Sequence, residues 1–441
     1  MTALTVFAAA RRRHIVLSGF PPYGRGVSMI PAPLRLPDYR AFWVARLFAT
    51  LAGMMMVIVI GWQVYDIARQ TMPPREAAFL LGMIGLVQFL PLLVLTLFIG
   101  VIADRMDRRH MARIAVGIEL ACAAALGLLA LNDAITIPAL FVVAGLLGIG
   151  RAIASPALAA LAPNLVPRDL LPSAIALNSI AWQIGAIAGP PAGAFLYAVS
   201  DSTAYGAAAL MFAVALAGLF GIRPVPRPPV SATSPVRSLI EGLAYVRQNR
   251  VVLGAITLDL FAVILGGATA MLPLYARDIL HVGVEGLGPL RAAPAAGAAV
   301  VALFLAARPL RRHVGVIMFA GVAVFSIATI VFGLSRSMPL SLASLAVLGA
   351  ADMLSVYVRS SLIQLHTPDE MRGRVSSVAG LFISATNELG EFRSGTSAAW
   401  VGPVESVVIG GVGALIVTGL WMWRFPALRR ADRFEAPEGT L

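Results

Sequence analysis

The 441-residue sequence contains no lysine, so all 34 of its basic residues are arginines, set against 22 acidic residues for a formal charge of +12. Without lysine the chain cannot hold a G-x-x-x-x-G-K-[ST] phosphate loop, whose lysine reaches the terminal phosphates of a nucleotide. Any driving force for work must then come from an ion gradient or from the substrate's own gradient. The single cysteine, Cys122, excludes an intramolecular disulfide, and its apolar surroundings mark it as a small buried hydrophobe. Five histidines are scattered over termini and loops without metal-ligand spacing, so no metal site and no cofactor is expected. Charge is also scarce, at 13% of residues, against 59% hydrophobic residues and a mean hydropathy of +0.85. A soluble domain could not cover itself with so few polar groups, which sets aside nucleic acid as the partner of the positive charge and points to a lipid bilayer.

A helix needs about 20 apolar residues to cross the hydrocarbon core. Twelve windows satisfy this, near residues 41–67, 77–103, 111–131, 137–162, 173–199, 204–222, 251–277, 286–307, 314–335, 339–363, 374–400 and 405–425. With the N-terminus in the cytoplasm, 25 arginines fall on inside segments and only Arg69, Arg75, Arg277 and Arg336 on outside loops. That asymmetry fixes the expected orientation, with both termini cytoplasmic. The first 40 residues carry "RRRH" and several prolines but no apolar core with a small-residue cleavage site, so no cleaved signal peptide is expected and Met29 is a candidate start.

The long polar interruption "RPVPRPPVSATSPVRSLIEGLAYVRQNR", residues 223–250, reads as a linker. Its proline-rich start opposes helix, whereas Leu239, Leu243 and Val246 share a face that suits an interfacial helix. The expected layout is an N-terminal extension over 1–36, a six-helix bundle over 37–222, the linker over 223–250, a second six-helix bundle over 251–425 and a tail over 426–441. Internal self-similarity supports two halves: "LVPRDLL" at 165–171 aligns with "HTPDEMR" at 366–372, the same offset pairs Gly189 with Gly390, and "RRH" at 108–110 recurs at 311–313. Parallel repeats enclosing a substrate path are a known plan of secondary transporters.

The stretch "GVIADRMDRRH" follows the second window, and its Gly100, Asp104, Arg105, Arg108 and Arg109 resemble the G-x-x-x-D-R-x-G-R-R loop of the major facilitator superfamily. Asp107 stands where that loop has glycine, which puts its tight turn in question. The resemblance implies a cytoplasmic gate in which Asp104 faces the start of the eleventh span near Gly373 to Ser376, flanked by Arg372 and Arg374; on charge alone the arginines serve topology equally well. In the fifth window, "GAIAGPPAGA" spaces Gly185, Gly189 and Gly193 four apart around Pro190, a small-residue seam that resembles the G-x-x-x-G-P-x-x-G pattern of exporting family members. The stretches "LPLYARDIL", "VRSSLIQLHTPDEMRGRVSSV", "SATNELGEFRSG" and "WRFPALRRAD" resemble the enterobactin-exporter-like branch, over about residues 37–434. The resemblance implies an all-α membrane protein of twelve helices in two pseudo-symmetric repeats.

Ionisable groups inside spans cost a few kcal/mol or more unless paired or hydrated, which makes them candidates for function. At about 1.5 Å per residue, Arg151 and Asp352 both lie about 20 Å from the outer side, and they are partners across the repeat. Glu388 and Glu391, three residues apart, share one face at mid-depth with Asn387 beside them, and Asp259 sits closer to the cytoplasmic side. Asp66 and Arg46, near helix ends, are expected to snorkel or pair locally, and Arg393, five residues beyond Glu388, could instead face the outer vestibule. Two accounts of the mid-membrane charges stand: a pairing network of Arg151, Asp352 and Glu388 that only orients helices, or one acid, preferably Glu388 or Glu391, that exchanges protons while Arg151 attracts an anionic substrate. The leading expectation is a proton-coupled exporter of a small amphipathic molecule, siderophore-like or drug-like, in a bacterial inner membrane, with a monomer sufficient. Uptake of a nutrient is the alternative within transport. A membrane-embedded enzyme would need a nucleophile or metal cluster, and a receptor a large soluble module; the sequence supplies neither.

Overall fold

In the computed structural model, residues 31–224 and 235–434 are described, and among them every long element is a helix. The spans are α1 (Pro37–Thr71), α2 (Pro74–Arg105), α3 (Arg108–Leu131), α4 (Ile137–Leu161), α5 (Leu171–Val199) and α6 (Asp201–Phe220). After the linker helix α7 (Pro235–Gln248) come α8 (Arg250–Gly266), α9 (Gly283–Ala307), α10 (Val314–Leu334), α11 (Met338–Leu365), α12 (Asp369–Val401) and α13 (Pro403–Arg424). Met29, the proline-rich part of the linker and the last residues of the tail lie outside the described residues.

Among the described residues, eleven helices are long and apolar enough to cross a membrane. The twelfth is α12, 33 residues long, whose apolar character is interrupted by Glu388, Glu391 and Arg393. Its length still suffices to span the bilayer, and the charges that lower its hydropathy are those turned toward protein partners. An even number of crossings brings both described ends and α7 to one end of the molecule, here the linker end; the opposite one is the far end.

Close backbone approach sets the packing. A Cβ at Gly185 would lie 2.5 Å from Thr50 Cγ2, one at Gly189 2.7 Å from Met54 Cβ and one at Gly193 3.0 Å from Met55 Cα, so all three glycines of the seam face α1 within the first half. Pro190 and Pro191 sit on the other side of α5, where a Cβ at Gly288 of α9 would come within 2.7 Å of Pro191 Cα. The second contact between halves joins α2 to α12, where a Cβ at Gly395 would stand 2.4 Å from Gly82 Cα. With glycine on both helices, no side chain stands between the two backbones there.

Beyond Gly266 the seventh span is broken. Gly267 is followed by a short 3-10 segment, Ala268–Met271, and a π turn, Tyr275–Ile279. The break frees carbonyls at the end of α8, and Arg393 of α12 takes them: its Nε donates to Ile264 O at 3.1 Å and its Nη2 to Leu265 O. Arg393 therefore caps a helix end rather than facing an outer vestibule.

The loop between α2 and α3 also differs from a glycine turn. Asp107 is the N-cap of α3, accepting from Arg109 N at 2.9 Å, so an acid replaces the turn glycine by satisfying an orphan amide. The Arg109 guanidinium beside Asp107, at 2.6 Å, holds that carboxyl below its ordinary range. Arg109 also donates to Ile222 O at 3.2 Å and Arg113 to Leu219 O at 3.0 Å, both beyond or near the end of α6. These arginines thus complete α6 in their own half instead of reaching the other one.

Candidate functional site

The α2–α12 crossing aligns Glu388 and Glu391 with the first half, because glycine at position 85 leaves room for them: a Cβ there would lie 2.9 Å from both Glu388 O and Glu391 Cβ. Arg151 of α4 donates to Gln88 Oε1 of α2 at 2.9 Å and stands 4.0 Å from Glu388 Oε1. Glu391 is 3.8 Å from Arg291 of α9, which also donates to Thr269 O at 3.1 Å in the break after α8. The two acids of one helix face therefore meet arginines from opposite halves. Their side chains are 21% and 27% exposed, so the pairs are loose and partly open rather than sealed. Asn387 beside them is exposed.

Asp259 and Arg359 form a direct ion pair in the second half, with side chains 9% and 6% exposed. Asp352 lines the same small cleft with Asp259 and Ser355. Arg151, Asp352 and Glu388 consequently do not make one network: Asp352 belongs to the Asp259–Arg359 group, while Arg151 and Glu388 meet across the halves.

A third set of charges closes the far end. Asp278 in the π turn accepts from Tyr65 and, at 2.9 Å, from Arg69 of α1, and Arg277 pairs with Asp66. Asp66 is thus bound across the two halves and not locally, because the π turn carries Arg277 and Asp278 toward α1. Behind this lock, Gln63 donates to Asp201 at 3.1 Å and accepts from Tyr205.

At the linker end, Gly100, Asp104 and Arg105 lie among residues whose side chains are outside those described. Arg108 is half-buried in the first turn of α3. On the second half, Arg372 donates to Gln364 O at 3.2 Å, Gly373 borders open space, and Arg374 pairs with Glu241 of α7 at 2.8 Å. Tyr245 of α7 donates to His366 O, so the linker helix is fastened to the start of α12. Burial pushes the His366 imidazole below its ordinary value.

Two residues central to this geometry escaped the sequence reading. Glu119 of α3 is 8% exposed inside the first half, and Arg291 is the partner of Glu391. Both were visible as ionisable residues within apolar windows; what the sequence did not carry was which neighbours they would meet.

Two six-helix halves that touch through glycines, with a charge pair at mid-depth between them, have the plan of a transporter of the major facilitator superfamily. A family model described as transmembrane secretion effector matches residues 28–437, and the chain belongs to that family. It is 27% identical over 401 residues to the enterobactin exporter EntS of Citrobacter koseri, covering 89% of this chain and 93% of that one. The Escherichia coli protein of the same name is 26% identical over 399 residues, with the same coverage. Among solved structures, a bacterial homologue of the human lysosomal transporter Spinster, inward-facing and unoccupied, superposes with a TM-score of 0.69 at 14% identity, covering 91% of this chain and 99% of that chain. A D-xylose–proton symporter gives 0.66 at 18% identity, covering 87% and 97%. The protein is a multi-pass membrane transporter with a small-molecule substrate, and not an enzyme.

Proposed function

We propose that the protein exports a small amphipathic molecule from a bacterial cytoplasm in exchange for protons, by alternating access across the inner membrane, with the linker end cytoplasmic. The observation that carries this reading is the cross-half pair Arg151–Glu388, at 4.0 Å and partly exposed at mid-depth. A charged pair in that position is stable only while its partner is present, so protonation of the acid or arrival of an anionic group loosens the contact between halves. One turn away, Glu391 has its arginine, Arg291, within the second half, so only the Glu388 pair spans the two halves. The far-end lock of Tyr65, Arg69 and Asp278 is what an inward-facing state requires on its closed side. Arg151 and Arg291 supply positive charge for an acidic or phenolic substrate, in keeping with the curated relatives' description as enterobactin exporters. The loop carrying Asp104, Arg105 and Arg108 is read as the gate of the linker end, and the Gly185–Gly189–Gly193 seam as the surface that holds α5 to α1 while the halves move.

Direction and coupling are tested in membrane vesicles. Inverted vesicles should accumulate substrate when energised and right-side-out vesicles should not; the opposite result would establish uptake. Substrate addition to de-energised inverted vesicles should move protons outward, and no proton flux at equal substrate flux would remove the coupling.

A further inference from the structure

Glu119 lies inside the first half, between two arginines. Among the described residues its carboxylate makes no hydrogen bond and no ion pair, although the side chain is almost wholly buried. The charges that act on it are Arg151 on α4 and Arg46 on α1. The thiol of Cys122 is one turn along its own helix, and α6, also packed on α3, carries its one charge, Asp201, in its first turn, where Gln63 donates to it. The Nε of Arg46 is buried without a partner. Glycine at 150 permits this placement, since a Cβ there would lie 3.0 Å from Glu119 Cγ and 3.6 Å from its Oε1. Glu119 is therefore held against the helix turn that carries Arg151.

Arg151 thus has a carboxylate near it in each half, Glu388 of the second and Glu119 of its own, which packs against the neighbouring Gly150. Glu388 approaches it from the other half at 4.0 Å, with Glu391 and Arg291 beyond, and Glu119 approaches it from within its own half. Neither acid holds the guanidinium in a close pair; its short hydrogen bond goes to neutral Gln88 at 2.9 Å. Burying a carboxylate is costly, and that cost falls when a neighbouring cation turns toward it.

We propose that Glu119 is the resting counter-ion of Arg151, taking over the guanidinium when Glu388 is protonated or the halves separate, and returning it when Glu388 gives up its proton. This rests on the proton-coupled reading above and deepens it. Glu119 is a positioning residue: it acts on the coupling acid through Arg151, with Arg46 competing for it from the other side. Removing Glu119 leaves Arg151 to Glu388 alone, which favours the joined, deprotonated pair. Removing Arg46 frees Glu119 for Arg151 and favours the protonated Glu388.

The test is the pH profile of substrate-driven proton exchange by purified full-length protein in liposomes, with counterflow of labelled substrate measured in parallel. Glu119→Gln should move the alkaline half-maximum of proton-coupled transport down by about one pH unit, the size expected when one nearby charge is removed. Arg46→Gln should move it up by a similar amount. Counterflow at the acid plateau should stay within about twofold of the parent in both, and Glu119→Asp should restore most of the shift. A slower transporter with the parental profile in both variants would make Glu119 a packing residue and overturn the proposal. If Glu119→Gln does not accumulate in the membrane, the Arg46→Gln profile decides: an upward shift supports the exchange of partners and an unmoved profile refutes it. Should Glu388→Gln and Glu391→Gln pump protons as the parent does, the coupling reading itself falls; loss of coupling there with unmoved Glu119→Gln and Arg46→Gln profiles would remove only this proposal.

Discussion

Replacing Asp278 by Asn should bias the transporter toward opening at the far end. Asp278 accepts from Arg69 Nε at 2.9 Å and from Tyr65, with the Arg69 and Asp278 side chains 23% and 21% exposed. Asn keeps the shape and one acceptor but loses the charge, so the substitution costs about 1–2 kcal/mol of a charge-assisted contact that exists only while that end is closed. The neighbouring Arg277–Asp66 pair remains, so the lock is weakened and not abolished. An energy of that size corresponds to about a 5- to 30-fold shift in population toward the open state. The reporter is a cysteine at Gly61, where an added Cβ meets only Pro273 Cγ at an ordinary 3.8 Å, in a chain whose one native thiol, the buried Cys122, is replaced by Ala. Labelling by a membrane-impermeant maleimide applied to the far side should accelerate by at least fivefold in Asp278→Asn. A rate within twofold of the parent would show that the ion pairs do not hold the two halves together.

Gly189→Leu should reduce transport below a tenth of the parental rate at equal abundance, because even its Cβ would lie 2.7 Å from Met54 Cβ and 3.0 Å from Leu51 O; normal transport would mean that α1 and α5 are not in tight contact. Asp107→Ala removes the cap of α3 and the partner of buried Arg109, and should lower thermal stability in detergent by about 1–3 kcal/mol at pH 7. Since the Asp107 carboxyl is held low in the folded protein, its contribution is present above the unfolded value near pH ~3.9 and is lost as pH falls through the folded one. The difference between parent and variant should therefore shrink on acidification below that point, and a constant difference would assign it to packing. Glu388→Gln or Glu391→Gln should abolish gradient-driven transport while leaving substrate counterflow, and Arg151→Gln should instead raise the substrate concentration needed for half-maximal counterflow; gradient-driven transport at the parental rate in both glutamate variants would reassign the coupling acid.

The helices were legible because each is a run of apolar residues long enough to cross a bilayer, and α3, α4 and α10 begin or end within a few residues of the expected windows. Even α12 could be read, since Glu388 and Glu391 fall on one face of an otherwise spanning segment. Partnerships were less accessible. The three-residue spacing of those glutamates shows that they share a face, but that one meets Arg151 and the other Arg291 depends on the crossing at Gly82 and Gly395, two residues far apart in sequence. Asp66 read as a residue that snorkels or pairs locally because it lies near a helix end; the π turn gives it Arg277 as a partner and gives Arg69 Asp278. Asp107 read as a lapse from a glycine turn, whereas aspartate is among the better helix N-caps and performs a different task at the same position.

The contact of Gly82 with Gly395 also has a mechanical meaning. Two bare backbones in contact make a narrow bearing near one end of long rods, and α2 continues 23 residues past it to Arg105, about 35 Å at the rise of an α-helix. A tilt of about 10° around such a bearing would carry the far tip of the rod some 6 Å, roughly the width of a side chain, while the glycines themselves barely slide. The short arm, from Pro74 to Gly82, would travel only about a third as far in the opposite sense. If the halves rock as the proposed alternating access requires, this leverage would make the two mouths unequal: a small loosening of contacts at the far end would yield a wide aperture at the linker end, and any side chain larger than hydrogen at the bearing would jam both.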